Sequence, residues 1–225
     1  MPSNFGSCGT YRRFSGRRCT VQIKNAVFLT SVADAAKLLS DGVPEIAMCG
    51  KSNVGKSSFI NFVTGQNALA KTSKEPGRTR LINYFSCNRD AFRLVDLPGY
   101  GFARVSDAEK KKWGVLIERY LRESKALRNV FLLLDVRRDP SDDDKMMINY
   151  LHHYAIPFTV ILTKTDKLSR SAMMTRRREI ANALCVGLDN PIPVSAEKKA
   201  GLDRVLQRLD EILSFEDGGG EEDTV

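Results

Sequence analysis

The chain has 225 residues, of which 42% are hydrophobic and 28% are charged, and this balance is typical of a soluble globular protein with one domain. No apolar run reaches the roughly 18 residues that a membrane-spanning helix needs, so we exclude a membrane-spanning protein. The formal net charge of +8 is compatible with an anionic partner such as nucleic acid, without identifying one.

The two ends of the chain differ in composition from its middle. Residues 1–20 contain four arginines, no acidic residue and no long apolar stretch, which favours a disordered basic arm over a secretory signal. An organelle transit peptide is the alternative interpretation of this segment. Residues 216–225 are rich in glycine and acids and are expected to form a disordered tail, which leaves 21–215 as a single domain. Five cysteines without C-x-x-C spacing favour a reducing, cytoplasmic location.

The first half of the chain alternates short apolar runs with turn residues. Ser31 and Asp34 have the spacing of a capping box, which predicts a short helix that ends near Gly42. The segment 65–80 has few apolar residues and is predicted to be a long loop, which inside a compact domain is often functional. The sequence further predicts strands at 21–30 and 45–49 and a helix that includes 58–63. It also predicts an antiparallel hairpin formed by 81–87 and 91–96.

The second half continues the alternation of strands and helices. Ser106 and Ser141 each begin a capping pattern, and the acids 142–144 favour the dipole of a first helical turn over a metal cluster. His152 and His153 are interpreted as polar helix-end residues rather than ligands. We predict helices from 106 to about 124, after 141, at 170–185 and at 202–213, and strands at 130–135, 157–162 and 191–194. This order predicts an α/β, doubly wound, mostly parallel sheet with one antiparallel strand and helices on both faces.

The segment 50–58 has the pattern G-x-x-x-x-G-K-[ST] between a predicted strand and a predicted helix. Its backbone N–H groups and the helix N-terminus would hold phosphate oxygens, as in P-loop NTPases. Lys56 would neutralise the β- and γ-phosphates, and the Ser57 hydroxyl would ligate Mg²⁺. The alternative is a glycine-rich turn that binds nothing. The candidate phosphate-binding residues are Gly50, Lys51, Ser52, Asn53, Val54, Gly55, Lys56, Ser57 and Ser58.

A D-x-x-G sequence, Asp96-Leu97-Pro98-Gly99, lies at the end of a predicted strand. Asp96 would hold Mg²⁺ through water, and the Gly99 N–H would approach a γ-phosphate because no side chain blocks it. Alone, the D-x-x-G pattern is weak evidence for a nucleotide site, but it is strong evidence when it follows a phosphate loop and a strand.

The strand predicted at 157–162 ends in the sequence Thr163-Lys164-Thr165-Asp166. A carboxylate at Asp166 would accept hydrogen bonds from the guanine N1–H and 2-amino groups, a pattern that adenine lacks, which argues against an ATPase. The Lys164 stem would lie over the base plane. The last predicted strand would complete the base pocket with Val194, Ser195 and Ala196.

The long loop contains Gly77, Arg78 and Thr79. Thr79 is placed to ligate Mg²⁺ with its hydroxyl and to contact the γ-phosphate with its N–H, although spacing alone leaves Thr72 as a rival. Loss of the phosphate would then release the loop, which is the order–disorder switch of GTPases. We expect Lys56, Thr79 and Gly99 to act on the transferred phosphate.

Together these motifs, with Leu81-Ile-Asn83 and Val95-Asp-Leu-Pro-Gly-Tyr-Gly101, resemble the EngB family (also called YsxC or YihA) of bacterial ribosome-assembly GTPases. The resemblance covers roughly residues 25–213. Arg80 stands where many members have Gln, and Arg138 stands where the family's Asp-x-Arg-His has His. The resemblance implies a Ras-like P-loop GTPase that binds Mg²⁺ with GTP or GDP and acts in maturation of the large ribosomal subunit, with a link to cell division and septation. We expect a monomer.

The same resemblance bears on catalysis. Tyr100 stands where Ras-like proteins carry the Gln that orients water, which implies slow hydrolysis. Asn53 matches the asparagine that potassium-activated relatives use to ligate a monovalent cation, although it is also an ordinary turn residue.

Basic residues crowd two predicted helices and offer a contact for ribosomal RNA, although a solvated helical face is the plain alternative. Trp113 is interpreted as a packing residue rather than a base-stacking one. The functional alternative to a GTPase switch is an RNA- or ribosome-binding assembly factor that nucleotide stabilises and that has negligible turnover. The first basic group comprises Lys110, Lys111, Lys112, Arg119, Arg122, Lys125 and Arg128, and the second comprises Arg176, Arg177 and Arg178.

Overall fold

The computed structural model describes residues 21–71, 81–100 and 107–214, with the backbone alone for 107–113. Its strands are β1 (Ala26–Val32), β2 (Glu45–Gly50), β3 (Ile82–Cys87), β4 (Phe92–Asp96), β5 (Leu127–Asp135), β6 (Phe158–Thr163) and β7 (Ile192–Pro193). Its helices are α1 (Lys56–Thr64), α2 (Asp107–Glu123), α3 (Asp142–His153), α4 (Arg170–Ala183) and α5 (Leu202–Leu213).

The strands form one seven-stranded sheet in the order β1-β3-β4-β2-β5-β6-β7. Strand β3 runs antiparallel to both of its neighbours, and the other pairs are parallel, so the predicted fold class is confirmed. All six residues of β2 are buried, because alternate side chains enter the hydrophobic layers on the two faces of the sheet. One layer packs against α2, α3 and α4, and the other against α1 and α5.

The predicted capping box at Ser31 is wrong. Strand β1 continues to Val32, and Ser31 lies opposite Asn83 in the ladder, where its hydroxyl donates to the Asn83 carboxamide oxygen at 2.6 Å. Asp34 caps only a single 3₁₀ turn, Ala35–Lys37. Pairing across the sheet therefore outweighs the local capping preference, and β1 starts at Ala26, later than predicted.

The capping box at Ser141 is confirmed, since its hydroxyl and the Asp144 carboxylate exchange hydrogen bonds with each other's backbone N–H groups. His152 and His153 lie in the last turn of α3, as predicted. In the part of the chain that the structure describes, no group of acidic, histidine or cysteine side chains could hold a metal ion by itself. None of the helices in that part is both long and apolar enough to cross a membrane. The predicted arm, the tail and the Ser106 capping box lie outside the described residues.

Candidate functional site

The predicted phosphate loop joins the end of β2 to the start of α1. A Cβ at Gly50 would lie 2.7 Å from the Leu133 carbonyl oxygen, so only glycine fits where the loop leaves the sheet beside β5. Gly55 has a φ of 109°, in the left-handed region, and its carbonyl accepts the Phe59 N–H at 2.8 Å. The loop therefore turns directly into the N-terminus of α1, where free N–H groups and the helix dipole favour an anion.

Hydrogen bonds from the T-K-T-D segment hold this loop in place. The Thr163 hydroxyl donates to the Val54 carbonyl at 2.8 Å, and the Lys164 ammonium donates to the Asn53 carbonyl at 2.9 Å. Asn53 adopts a left-handed φ of 61° at this contact. Thr163 and Lys164 thus join the phosphate loop to the end of β6, an anchoring role that the sequence analysis did not assign to Thr163.

Lys56 and Asp96 face each other beneath the loop, with 4.0 Å between the ammonium and Oδ1 of the carboxylate and both side chains at most 10% exposed. Burial raises the pKa of Asp96, and the positive charge of Lys56 opposes this rise. Asp96 Oδ1 is buried and accepts no hydrogen bond from the described residues. A buried carboxylate oxygen without a donor is suited to accept one from water on Mg²⁺, so this residue fits the predicted ion.

Gly99 lies against the same loop. A Cβ on it would be 3.2 Å from the Lys56 ammonium and 3.2 Å from the Ser52 backbone nitrogen, so the backbone comes close to both groups only because the residue is glycine. The backbone at Gly99 therefore lies close to the Lys56 head. Ser57 is the second residue of α1, one position after Lys56, and it is the remaining described candidate for an oxygen ligand to Mg²⁺.

Asp166 and Ser195 meet as the sequence predicts, because they follow the adjacent parallel strands β6 and β7. The Ser195 hydroxyl donates to Asp166 Oδ1 at 2.6 Å, and the Lys167 ammonium lies 2.9 Å from Oδ2. These two donors lower the pKa of Asp166 to about 2, so the carboxylate is ionised at neutral pH. The Thr165 N–H donates to the Val194 carbonyl at 3.3 Å and ties the two segments together.

A groove with a volume of about 530 Å³ lies between α1 and the turn before α5. Ser58 from the phosphate loop and Ala196 from the last strand both line it. The structure thus brings the two ends of the predicted nucleotide site to one surface.

Asp135, at the end of β5, is a residue of the site that the sequence analysis did not assign. Its carboxylate accepts hydrogen bonds from Arg137 at 2.7 and 2.9 Å, and the Lys164 ammonium lies 3.0 Å away. Burial opposes ionisation, but the Arg137 and Lys164 donors outweigh it and hold the pKa of Asp135 well below its ordinary value. Asp135 therefore fixes the head of Lys164 over the phosphate loop. The only sequence signal was Asp-x-Arg at a strand end.

Gly77, Arg78 and Thr79, and the rival Thr72, lie outside the described residues, so their roles stay predictions. The root of their loop is defined: the Asn61 carboxamide of α1 donates to the Ala70 carbonyl at 2.9 Å and accepts the Ala70 N–H at 2.8 Å. The loop therefore starts from a point fixed to the helix that follows Lys56.

An open, mostly parallel sheet with a phosphate loop after β2, D-x-x-G after β4 and T-K-T-D after β6 defines a class of protein, the P-loop GTPases. Residues 45–164, more than half of the chain, match the family described as 50S ribosome-binding GTPases.

Comparison with individual proteins gives a more specific family assignment. A probable GTP-binding protein EngB of Desulfosudis oleivorans is 45% identical over 187 residues, which are 83% of this chain and 94% of that protein. The corresponding protein of Caldanaerobacter subterraneus is 43% identical over 193 residues, 86% of this chain and 99% of its own. The chain therefore belongs to the EngB family of GTP-binding proteins.

Solved structures agree on the fold. A probable GTP-binding protein EngB superposes with a TM-score of 0.63 at 24% identity, over 75% of this chain and 98% of that one. Era in complex with MgGDPNP and nucleotides 1506–1542 of 16S ribosomal RNA superposes with a TM-score of 0.59 at 21% identity, over 76% of this chain and 57% of that one.

Proposed function

We propose that this protein is a cytoplasmic GTP-dependent switch that hydrolyses GTP slowly and acts, as a monomer, in assembly of the large ribosomal subunit, with a consequence for cell division. The observation that carries the nucleotide part is the ionised Asp166 carboxylate, held by Ser195 at the end of β6 and joined through Lys164 to the phosphate loop. The large-subunit part is supported by membership of a family described as 50S ribosome-binding GTPases. Contact with ribosomal RNA in general is supported by the structural neighbour Era, which was solved with part of the 16S ribosomal RNA.

Within this proposal each candidate residue of the nucleotide motifs has a defined task. Lys56 neutralises the β- and γ-phosphates, the Gly99 N–H contacts the γ-phosphate, and Asp166 reads guanine. Ser57 and Thr79 would ligate Mg²⁺, and Asp96 would hold it through water. The ion would supply positive charge that stabilises negative charge on the phosphate oxygens.

Slow turnover is supported by Tyr100, the residue after Gly99. Its hydroxyl donates to Asp144 at 2.7 Å, so it is not free to orient a water at the γ-phosphate. This geometry also favours the second candidate, an RNA- or ribosome-binding assembly factor with negligible turnover. The two are separated by measuring GTP hydrolysis with and without large ribosomal subunits: stimulation supports the switch, and a rate at background in both supports the second candidate.

The proposed function itself is tested by co-sedimentation with large subunits in GDP and in a non-hydrolysable GTP analogue. We expect binding with the analogue and weaker binding with GDP, because the analogue orders the loops that face the γ-phosphate. Equal binding in both nucleotide states would contradict a switch.

The contacts that the described arginines make help to choose between the two basic groups as the site of RNA contact. In α2, Arg119 and Arg122 pair with Glu123 and Glu118 one turn away, which compensates part of their charge. In α4, Arg176 pairs with Asp139 and Glu179, and Arg177 donates to main-chain carbonyls. Two members of the second basic group thus hold the fold together. We therefore propose the first two turns of α2, which carry Lys110, Lys111 and Lys112, as the RNA contact.

Reversal of two charges on this helix tests the contact. Lys111→Glu with Lys112→Glu is expected to abolish association with large subunits, because phosphate contacts contribute affinity that falls with salt. The log of the affinity for large subunits should fall linearly with log salt in the wild type. In single-charge variants this dependence should be shallower, by about one unit of slope for each phosphate contact that is removed. GDP affinity should stay unchanged, since neither lysine belongs to a nucleotide motif.

The matched control reverses the exposed Lys24 and Arg89, which lie near the β3–β4 turn at the end of the sheet opposite Asp96. This control changes the net charge equally and should leave ribosome binding nearly intact. Equal loss in both double variants would show that only overall charge matters, and unchanged binding in the Lys111/Lys112 variant would remove this face as the contact.

Potassium dependence of hydrolysis tests the proposed role of Asn53. We expect faster hydrolysis in potassium than in sodium for the wild type, and no difference for Asn53→Gly. Glycine is the appropriate replacement because φ at this position is 61°, so the loop keeps its shape while the candidate oxygen ligand is lost. Equal rates in the two salts for the wild type, with and without large subunits, would leave Asn53 as a turn residue.

A further inference from the structure

We propose that Tyr100 and Asp144 form a positioning pair that holds the Gly99 N–H in register with the phosphate loop, and that this pair selects for nucleotides with a γ-phosphate. The inference rests on the proposed function and assigns two residues that the nucleotide motifs leave unused. It concerns positioning, since the hydroxyl of Tyr100 is directed at α3.

The backbone of Tyr100 is attached to the phosphate loop. Its carbonyl accepts the Ser52 N–H at 3.1 Å, and its N–H donates to the Gly50 carbonyl at 3.4 Å, so that Tyr100 pairs with Lys51 as in a short parallel bridge. Gly99 is the preceding residue, and any shift of Tyr100 along the loop moves the Gly99 N–H with it.

The side chain of Tyr100 is fixed at its other end by α3. Asp144 is 3% exposed, and its Oδ1 accepts the Tyr100 hydroxyl at 2.7 Å. The second oxygen accepts the Ser141 N–H at 2.9 Å and the Ser141 hydroxyl at 2.7 Å. Burial raises the pKa of Tyr100 well above its ordinary value, so the hydroxyl keeps its proton and donates. Both oxygens of a buried carboxylate are thus committed, which leaves Tyr100 a single position.

A weaker contact supports the same registration. The Lys51 ammonium lies 3.6 Å from the carboxylate of Asp143, in the same turn of α3, but both side chains are at least one-third exposed. An exposed pair of this kind contributes little. The Tyr100–Asp144 hydrogen bond, whose acceptor carboxylate is buried, is therefore the stronger of these two contacts between α3 and the phosphate-site segments.

The consequence is selective. GDP has no γ-phosphate, so its affinity gains nothing from the Gly99 N–H. The affinity of a GTP analogue, in contrast, depends on where that N–H is held. Tyr100→Phe removes only the hydroxyl, and it is expected to weaken the GTP analogue about tenfold, the equivalent of one charged hydrogen bond, while GDP affinity changes by less than about twofold. Both affinities are measured by titration with fluorescent nucleotides, and the thermal midpoint is recorded for each variant.

Tyr120→Phe is a matched control. The Tyr120 hydroxyl also donates to a buried carboxylate, that of Glu45 at 2.8 Å, but Glu45 is the first residue of β2 and lies at the opposite end from the phosphate loop. This variant should lose stability without changing the ratio of the two affinities. A change in ratio of similar size in both variants would show a general loss of rigidity and would overturn the inference.

Asp144 provides a second comparison. Asp144→Asn leaves a partner for the Tyr100 hydroxyl in either orientation of the carboxamide, and it should keep the wild-type ratio despite a weaker helix cap. Asp144→Ala removes the partner and should reproduce the loss seen in Tyr100→Phe. If the wild type binds both nucleotides and Tyr100→Phe keeps the wild-type ratio of GTP-analogue to GDP affinity, the inference about the Tyr100–Asp144 pair is overturned and the proposed function is not. Failure of the wild type to bind either nucleotide would overturn the proposed function.

Discussion

Asp166→Asn is expected to weaken GDP binding by about 2–4 kcal/mol, the cost of replacing an acceptor by a donor opposite the guanine 2-amino group. The carboxylate is ionised and is oriented by Ser195 at 2.6 Å, so the substitution acts on a fixed group. Xanthine carries a carbonyl where guanine carries that amino group, so the variant should bind xanthosine diphosphate more tightly than the wild type does. Titration with the two fluorescent nucleotides measures both effects.

The fold should tolerate this change. Lys167 loses its partner Asp166 but keeps Glu197, whose carboxylate lies 2.8 Å from its ammonium. Glu197→Gln is the matched control, because it removes one negative charge beside the same lysine without touching the proposed base reader. We expect GDP affinity within about twofold of the wild type for this control, since exposed ion pairs contribute little. Normal GDP binding by Asp166→Asn would show that the base is read elsewhere.

The parts of the site that the sequence predicted are local patterns or neighbours in a parallel sheet. The phosphate loop is a run of consecutive residues whose glycines set the backbone, as the close approach of Gly50 to Leu133 shows. Asp166 and Ser195 are 29 residues apart, but both follow strands that the alternation of elements placed side by side. Strand ends of an α/β sheet meet at one edge, so this contact was predictable.

The parts that the sequence did not predict depend on tertiary contacts. The Tyr100–Asp144 hydrogen bond joins residues 44 positions apart on different elements, and the two patterns that contain them indicate a GTPase motif and a helix cap. Asp135 is similar, because its partner Lys164 directly follows the neighbouring strand β6. At Ser31 the local pattern predicted a cap, and the ladder contact with Asn83 decided otherwise. Such competition between local and tertiary preference is decided only in the assembled sheet.

Lys56→Ala is expected to weaken both GDP and the GTP analogue by about 2–5 kcal/mol, since it removes the cation that faces the β-phosphate common to both. The Lys56 side chain is only 10% exposed, so water does not simply replace its charge. Titration with both fluorescent nucleotides measures the loss. Retained GDP affinity would contradict the role of Lys56, and loss of the GTP analogue alone would place the ammonium at the γ-phosphate only.

The same substitution has a consequence for stability without nucleotide. Burial already raises the pKa of Asp96, and Lys56 is the charge that opposes the rise, so Lys56→Ala should raise this pKa further. With the pKa higher in the folded than in the unfolded protein, the folded state binds the proton more tightly. The variant should therefore gain stability relative to the wild type as the pH falls from 8 toward the unfolded value near 3.8. Thermal unfolding across this range measures the gain, and adding Asp96→Asn should remove it. A pH profile parallel to that of the wild type would show that the two groups are not coupled.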